Sequence, residues 1–222
     1  MLTPTRIESE ELLDAGEVTA EDRERSLRDL RRINRFLGGV GVYRKLIRTF
    51  DPRSILDLGT GTSDLLDAVP AVALRIGLDF NIEHLLYLRE GSRVHRVVGD
   101  AHHLPFRNGT VDLVTSSHFF HHFSPEENVS ILTDSLRVAR KGVAFTDTRR
   151  HYLPLLAMLL VSALRLVGRV TRFDAPASVR QGYTLAEVRT LAPRARASRW
   201  TVLRKWPFRF ALLLWKEREI GP

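Results

Sequence analysis

Residues 55–66 read ILDLGTGTSDLL: an apolar run with one acid, two glycines separated by a threonine, and a return to apolar residues at helical spacing. Buried parallel strands are written as continuous apolar runs. Glycines let the following turn double back sharply and approach a ligand where a Cβ would collide. The stretch therefore predicts a strand over Ser54–Leu58, a glycine-rich turn, and a helix over Asp64–Val69. Further apolar runs follow at Leu74–Asp79, Val94–Gly99, Val111–Ser116 and Val143–Asp147, with helical stretches at Ile82–Glu90 and Glu126–Arg140. Strand–helix alternation of this kind predicts an α/β doubly wound parallel sheet.

The flanks read differently. Thr19 and Asp22 form a weak capping box, after which Leu27, Leu30, Ile33 and Leu37 recur at helical spacing. Gly38-Gly39 stops that helix, Val40–Phe50 reads as a second, and Asp51-Pro52 is a turn. Near the other end, Thr184 and Glu187 make a capping box, with Tyr183 and Val188 placed as a hydrophobic staple. Ser198–Arg204 and Phe208–Trp215 are β-rich runs joined by Lys205-Trp206-Pro207, a link short enough for a hairpin and too short for a parallel crossover. The apolar stretch Leu153–Gly168, whose sole charge is Arg165, is too short to span a bilayer, which takes about 20 residues. It is expected as a buried core helix or a pocket lid, with a membrane-leaning surface as the alternative.

Asp79 ends the second run twenty residues after Gly59, where a carboxylate would meet ribose hydroxyls. That pair does not distinguish a dinucleotide from S-adenosylmethionine. The set ILDLGTGTSDLL, IGLDFN, VVGDAHHLPF, VDLVTSSHFFHHF and LRVARKG resembles the ordered motifs of class I S-adenosylmethionine-dependent methyltransferases. It is closest to the group of ubiquinone and menaquinone biosynthesis enzymes and small-molecule O-methyltransferases, over about residues 53–148. The resemblance implies a Rossmann-like sheet, mostly parallel with a C-terminal antiparallel hairpin and helices on both faces. It implies residues 1–50 as an N-terminal helical cap, and 51–222 as the cofactor domain with a lid insertion at about 149–182. It also implies that Asp57, Gly59, Thr60 and Gly61 line the methionine part of S-adenosyl-L-methionine, and that Asp79 accepts from the ribose. Phe80, Asp100 and Ala101 would meet the adenine, and Ser116 and Ser117 would border the sulfonium. Two departures stand out: Ser63 replaces a third glycine, and Arg140-Lys141-Gly142 replaces a lysine-proline-glycine-glycine turn.

Methyl transfer to oxygen or carbon usually removes a proton from the acceptor, and histidine is the side chain suited to that near neutral pH. His118 or His121, just after the fourth run, is the expected base. No metal site is expected from these histidines, because no carboxylate stands at ligand spacing from them in the chain. His102 and His103 are read as surface residues. The expected acceptor is a small molecule, hydrophobic or aromatic, lipid-like or polyketide-like, with Arg149 and Arg150 as contacts for an anionic head. Transient membrane contact stays open.

The charge balance narrows the alternatives. Residues 1–150 hold 21 Lys and Arg against 22 Asp and Glu, whereas 151–222 hold 13 against 4. The basic excess of +8 thus lies in the last third, dispersed as arginine, which favours a solvated surface over a nucleic-acid module. An RNA methyltransferase is the rival reading, disfavoured because Ser116-Ser117-His118-Phe119 stands where base-amino methylases carry an Asn/Asp-Pro-Pro-aromatic signature. A nicotinamide-dependent oxidoreductase, disfavoured by Ser63, the Asp100-Ala101 element and the terminal hairpin, and a non-catalytic nucleotide-binding Rossmann-like protein are the other rivals. The absence of cysteine excludes disulfides and thiolate chemistry. The N-terminal stretch has no apolar signal core, so a cytoplasmic location is expected.

Overall fold

The computed structural model describes residues 3–9, 11–13, 15, 18–36, 38–87 and 91–217. Its centre is a seven-stranded sheet made of β1 (Ser54–Leu58), β2 (Leu74–Asp79), β3 (His95–Val98), β4 (Val111–Ser117), β5 (Ala139–Thr148), β6 (Arg199–Lys205) and β7 (Arg209–Trp215). The strand order is β3-β2-β1-β4-β5-β7-β6. The first five strands in that order are parallel, and the β6–β7 hairpin folds back so that β7 pairs antiparallel with β5. This is the doubly wound sheet with a terminal hairpin that the residue pattern predicts. The order reverses between β1 and β4, and ligands of open α/β sheets bind at such a switch, at the carboxyl ends of the strands.

Two apolar layers cover the sheet. On one face, Ile131, Leu132 and Leu136 of α5 (Pro125–Val138) and Val188 and Leu191 of α8 (Leu185–Leu191) pack on Leu56, Val114, Phe145 and Leu212. Both helices start on complete capping boxes, Ser124 with Glu127 and Thr184 with Glu187, the second as the spacing predicts. On the other face, Leu46, Ile47 and Phe50 of α2 (Gly39–Phe50) and Leu66 of α3 (Asp64–Asp67) pack on Ile55, Leu113 and Ala144. The expected N-terminal cap therefore divides. Helix α2 belongs to the sheet's own layer, while Leu27 of α1 (Ala20–Phe36) packs with Leu13 and Val170 of α7 (Arg169–Gln181).

Several boundaries move for identifiable reasons. Strand β5 begins at Ala139, four residues before the expected start, and takes in Arg140-Lys141-Gly142. These residues, which replace the turn common in the resembled family, are strand; Gly142 pairs with Trp215, and an added Cβ would lie 2.1 Å from the Leu214 carbonyl oxygen. The helix expected over Ile82–Glu90 is α4 (Ile82–Leu86), with residues 88–90 outside the described set; Leu37 of the first helical repeat is also outside it.

The largest correction concerns the apolar stretch, which forms α6 (Tyr152–Ala163) and the turn after it. Leu155 is the one buried side chain of that helix. Leu153, Leu156, Leu160, Leu164 and Leu166 are each more than half exposed, so the expectation of a buried core helix fails. Helical periodicity cannot separate an apolar helix that packs inside from one that projects, because both are apolar all round. Among the described residues no helix is long and apolar enough to cross a membrane.

Candidate cofactor site and its buried charge cluster

The turn after β1 is built for close backbone approach. Gly59 and Gly61 lie at φ of 59° and 51°, a region costly for residues with a Cβ. Ser63, standing for the third glycine, also takes the left-handed conformation (φ 57°); its hydroxyl lies 3.0 Å from that of Thr60, and its amide donates to the Thr60 carbonyl. The Thr60 amide donates to the Leu78 carbonyl, which ties the turn to β2. Gly77 of β2 leaves room for it, since a Cβ there would come within 2.7 Å of the Thr60 methyl.

Two acids flank this turn. Asp79, buried at the end of β2, accepts from the Gly61 amide (2.8 Å) and the Asn81 amide (3.0 Å), with His84 Nδ1 at 3.6 Å. Asp57 accepts from Thr115 Oγ1 at 2.6 Å and from the Tyr43 hydroxyl at 3.2 Å. Burial raises the Asp57 carboxyl to about 6, against the hydrogen bonds that favour its ionised form. The tyrosine comes from α2, which packs on the sheet beside this turn.

The remaining expected positions gather at the same edge. The Gly99 amide donates to the Asp79 carbonyl, which sets Asp100 one residue beyond. Asp100 is half-exposed and accepts from the His102 amide and ring, contacts that hold its carboxyl below the ordinary value. Ala101 is buried, whereas Phe80 is 82% exposed with its ring free of the core. Ser116 turns its hydroxyl to the Leu58 carbonyl (2.8 Å), and Ser117 accepts from Arg209 (3.1 Å). Phe119 lies over Gly59 so closely that a Cβ there would come within 2.3 Å of the ring.

Beside the carboxyl ends of β4 and β5 sits a buried cluster of charges. Asp147 Oδ2 accepts from His121 Nδ1 (2.8 Å) and from the His121 amide (3.1 Å), and Oδ1 accepts from the Thr148 amide (2.6 Å). Glu11 approaches the other ring nitrogen of His121 to 3.3 Å. Burial works against a charged imidazole, but the two carboxylates outweigh it and lift His121 to about 10. Burial would likewise raise Asp147, yet the charge on His121 holds its carboxyl well below the usual range. His118, itself in the left-handed region, faces Asp147 with Nδ1 at 3.7 Å and Arg209 with Nε2 at 2.6 Å. Burial and the Arg209 charge push it down to about 3.

Two carboxylates favour the protonated form of His121, and the Nε2 lone pair of His118 accepts from the Arg209 guanidinium. The expectation for Arg150 is corrected: buried, it donates to the Gly182 and Pro4 carbonyls and pairs with Glu187, so it braces the chain instead of meeting a ligand. Arg149 stands over the Phe208 ring at 5.9 Å.

Residues 55–142 match the family model of the methyltransferase domain. Over 136 residues the chain is 30% identical to the demethylmenaquinone methyltransferase of Thermotoga maritima, covering 58% of this chain and 54% of that protein. The matched stretch, which holds the glycine turn, Asp57, Asp79 and Asp100, is similar to the methyltransferase domain. It spans about half the length of the curated relative it matches. Among solved structures, the plantazolicin methyltransferase BpumL in complex with a triazolic desmethylPZN analog and SAH superposes with a TM-score of 0.70. That match is at 13% identity, covering 92% of this chain and 93% of that one. A SAM-dependent methyltransferase from Aquifex aeolicus superposes at 0.57 with 19% identity, covering 79% and 89%. At such identities the likeness is one of fold.

Four side chains that matter to the site edge escaped the motif reading: Glu11, Tyr43 in its bond to Asp57, Asp147 and Arg209. Asp147 had a signal, as the acid at the carboxyl end of the fifth strand. Arg209 is brought in by the antiparallel register that sets it opposite Thr148, and Glu11 by a strap with no pattern of its own.

Proposed function

We propose that this chain transfers the methyl group of S-adenosyl-L-methionine to a small hydrophobic or aromatic acceptor, at oxygen or carbon. The observation that carries the reading is the Asp79 carboxylate bonded to the Gly61 amide at the β1–β4 switch, with Asp57 beneath the same turn. In this reading Asp57, Gly59, Thr60 and Gly61 hold the methionine part, Asp79 accepts from the ribose hydroxyls, and Phe80, Asp100 and Ala101 flank the adenine. Ser116 and Ser117 border the sulfonium. The leaving group of a sulfonium is already good, so positioning in a dry pocket supplies most of the acceleration. His118 and His121 then act on the shape and charge of the pocket wall, and the reaction proceeds without either as base.

The acceptor side is assigned to the N-terminal strap around Arg6–Glu11 and to the insertion at about 149–182, which carries α6 and α7. The exposed leucines of α6, beginning four residues after β5 ends, support an apolar acceptor, lipid-like or polyketide-like, and brief contact with a membrane surface. The relative's acceptor, as its name states, is demethylmenaquinone, which is consistent with that class.

Calorimetric titration with S-adenosylmethionine across pH 5–8 tests the cofactor assignment. The Asp57 carboxyl ionises at about 6, and a cationic cofactor prefers the ionised form, so affinity is expected to rise with pH through about 6. Asp57→Asn should flatten that rise; a flat profile for the native chain, or binding of NAD in its place, refutes the assignment. Screening acceptors by product mass tests the second half. Turnover of long-chain or aromatic phenols is expected, and turnover confined to small polar acceptors would overturn it.

A further inference from the structure

The sequence offers no carboxylate at ligand spacing from His121-His122, but the fold supplies one from more than a hundred residues away. Donor atoms of Glu11, His121 and His122 all lie within 4.8 Å of one another. We propose that these three side chains form a binding site for a divalent ion of the zinc class, with an open coordination position.

Four observations support the assignment. The first is spacing: His121 Nε2 and the Glu11 carboxylate are 3.3 Å apart, close to the roughly 3.3 Å that separates two ligands of a tetrahedral ion bound at about 2.0–2.1 Å. The second is orientation. Asp147 holds Nδ1 of His121 at 2.8 Å, which aims Nε2 at Glu11, and a carboxylate behind a ligating imidazole is the usual outer support of a zinc histidine. That Nε2 is buried and has no hydrogen-bond partner of good geometry. The third is charge: two buried carboxylates, Glu11 and Asp147, converge on one imidazole, and an ion that displaces the Nε2 proton of His121 keeps that pair neutralised. The last is access. The site opens on a cavity of about 440 Å³ whose walls include Arg6, Glu127 and Gln181, so a ligand oxygen can reach the remaining position. Two imidazoles and one carboxylate suit Zn²⁺, Co²⁺ or Ni²⁺ better than Mg²⁺ or Ca²⁺, which favour oxygen sets. An ion there would polarise an acceptor oxygen held in the cavity.

The test uses the full chain freed of metal with a chelator and titrated calorimetrically with Zn²⁺. One equivalent is expected to bind, and Glu11→Gln and His122→Ala should each weaken it at least about tenfold. Co²⁺ in place of Zn²⁺ should give visible absorption bands that both substitutions remove. His122 is exposed, so its variant keeps the fold even if the Glu11 variant does not. His103→Ala is the control, because Asp100, His102 and His103 form a second polar group. Absence of stoichiometric binding, or binding lost with His103→Ala and kept in His122→Ala, would overturn the proposal. Affinity for S-adenosylhomocysteine, measured on the same variants, reads the cofactor site separately.

Discussion

Asp147→Ala is expected to destabilise the fold by about 3–5 kcal/mol, because it strands a protonated imidazole and a guanidinium in a buried site. Asp147 is 1% exposed and accepts from both the ring and the amide of His121, while Arg209, 2% exposed, stands across His118. Nothing else within the described cluster except Glu11 carries negative charge toward His121. Against a total stability of about 5–15 kcal/mol, the loss is a large fraction. For a domain of this size it lowers Tm by on the order of 10 °C, as read by thermal unfolding. Removing an exposed partner such as Glu24, paired with Arg28 on α1, should change stability by less than about 1 kcal/mol.

The pH dependence carries a second signature of the same cluster. His121 is raised from 6.5 to about 10, so its contribution is complete below pH 6.5 and is lost as pH rises toward 10. Asp147 is depressed, so its contribution is present above the ordinary carboxylate range and lost on acidification. Stability should therefore fall on the alkaline side in the native chain, with a shallower fall in Asp147→Ala. If that variant unfolds no more readily than Glu24→Ala, the buried ion pair is not holding this edge together.

Asp79→Ala is expected to weaken S-adenosylhomocysteine binding by about 1.5–3 kcal/mol, roughly 10- to 150-fold, as for hydrogen bonds from neutral donors to a charged acceptor. The substitution also frees the Gly61 and Asn81 amides, so the glycine turn loosens along with the lost ribose contacts. Asp79→Asn separates the two effects, since it keeps an acceptor for one amide and loses the charge. Calorimetry at neutral pH, with circular dichroism to confirm the fold, reads the result. Unchanged affinity in both variants would move the nucleotide away from β2.

Much of this was legible in the chain. The runs ILDL, RIGLD and VDLVTS are strands because their apolar continuity suits a sheet covered on both faces. Thr184 and Glu187 announced α8 because a capping box is a contact between residues three apart. The start of β5 was misjudged because the helical stretch was extended to Arg140, two residues past the end of α5. The strand runs through Arg140 and Lys141 because Ala139 pairs with Val111 of β4 and Gly142 with Trp215 of β7, partners invisible from local pattern.

What the sequence by itself determined is the succession of elements, the glycine turn with Asp57 and Asp79 at strand ends, and the closing hairpin. All of these rest on periodicity, backbone conformation and neighbours a few residues apart. Tertiary structure alone decided that α6 projects its leucines, and that Glu11, His121, Asp147 and Arg209 meet in one buried cluster. Exposure and proton affinity depend on which distant segment arrives alongside. His121, which reads as a candidate base in the chain, is drawn once folded between two carboxylates that favour its protonated form.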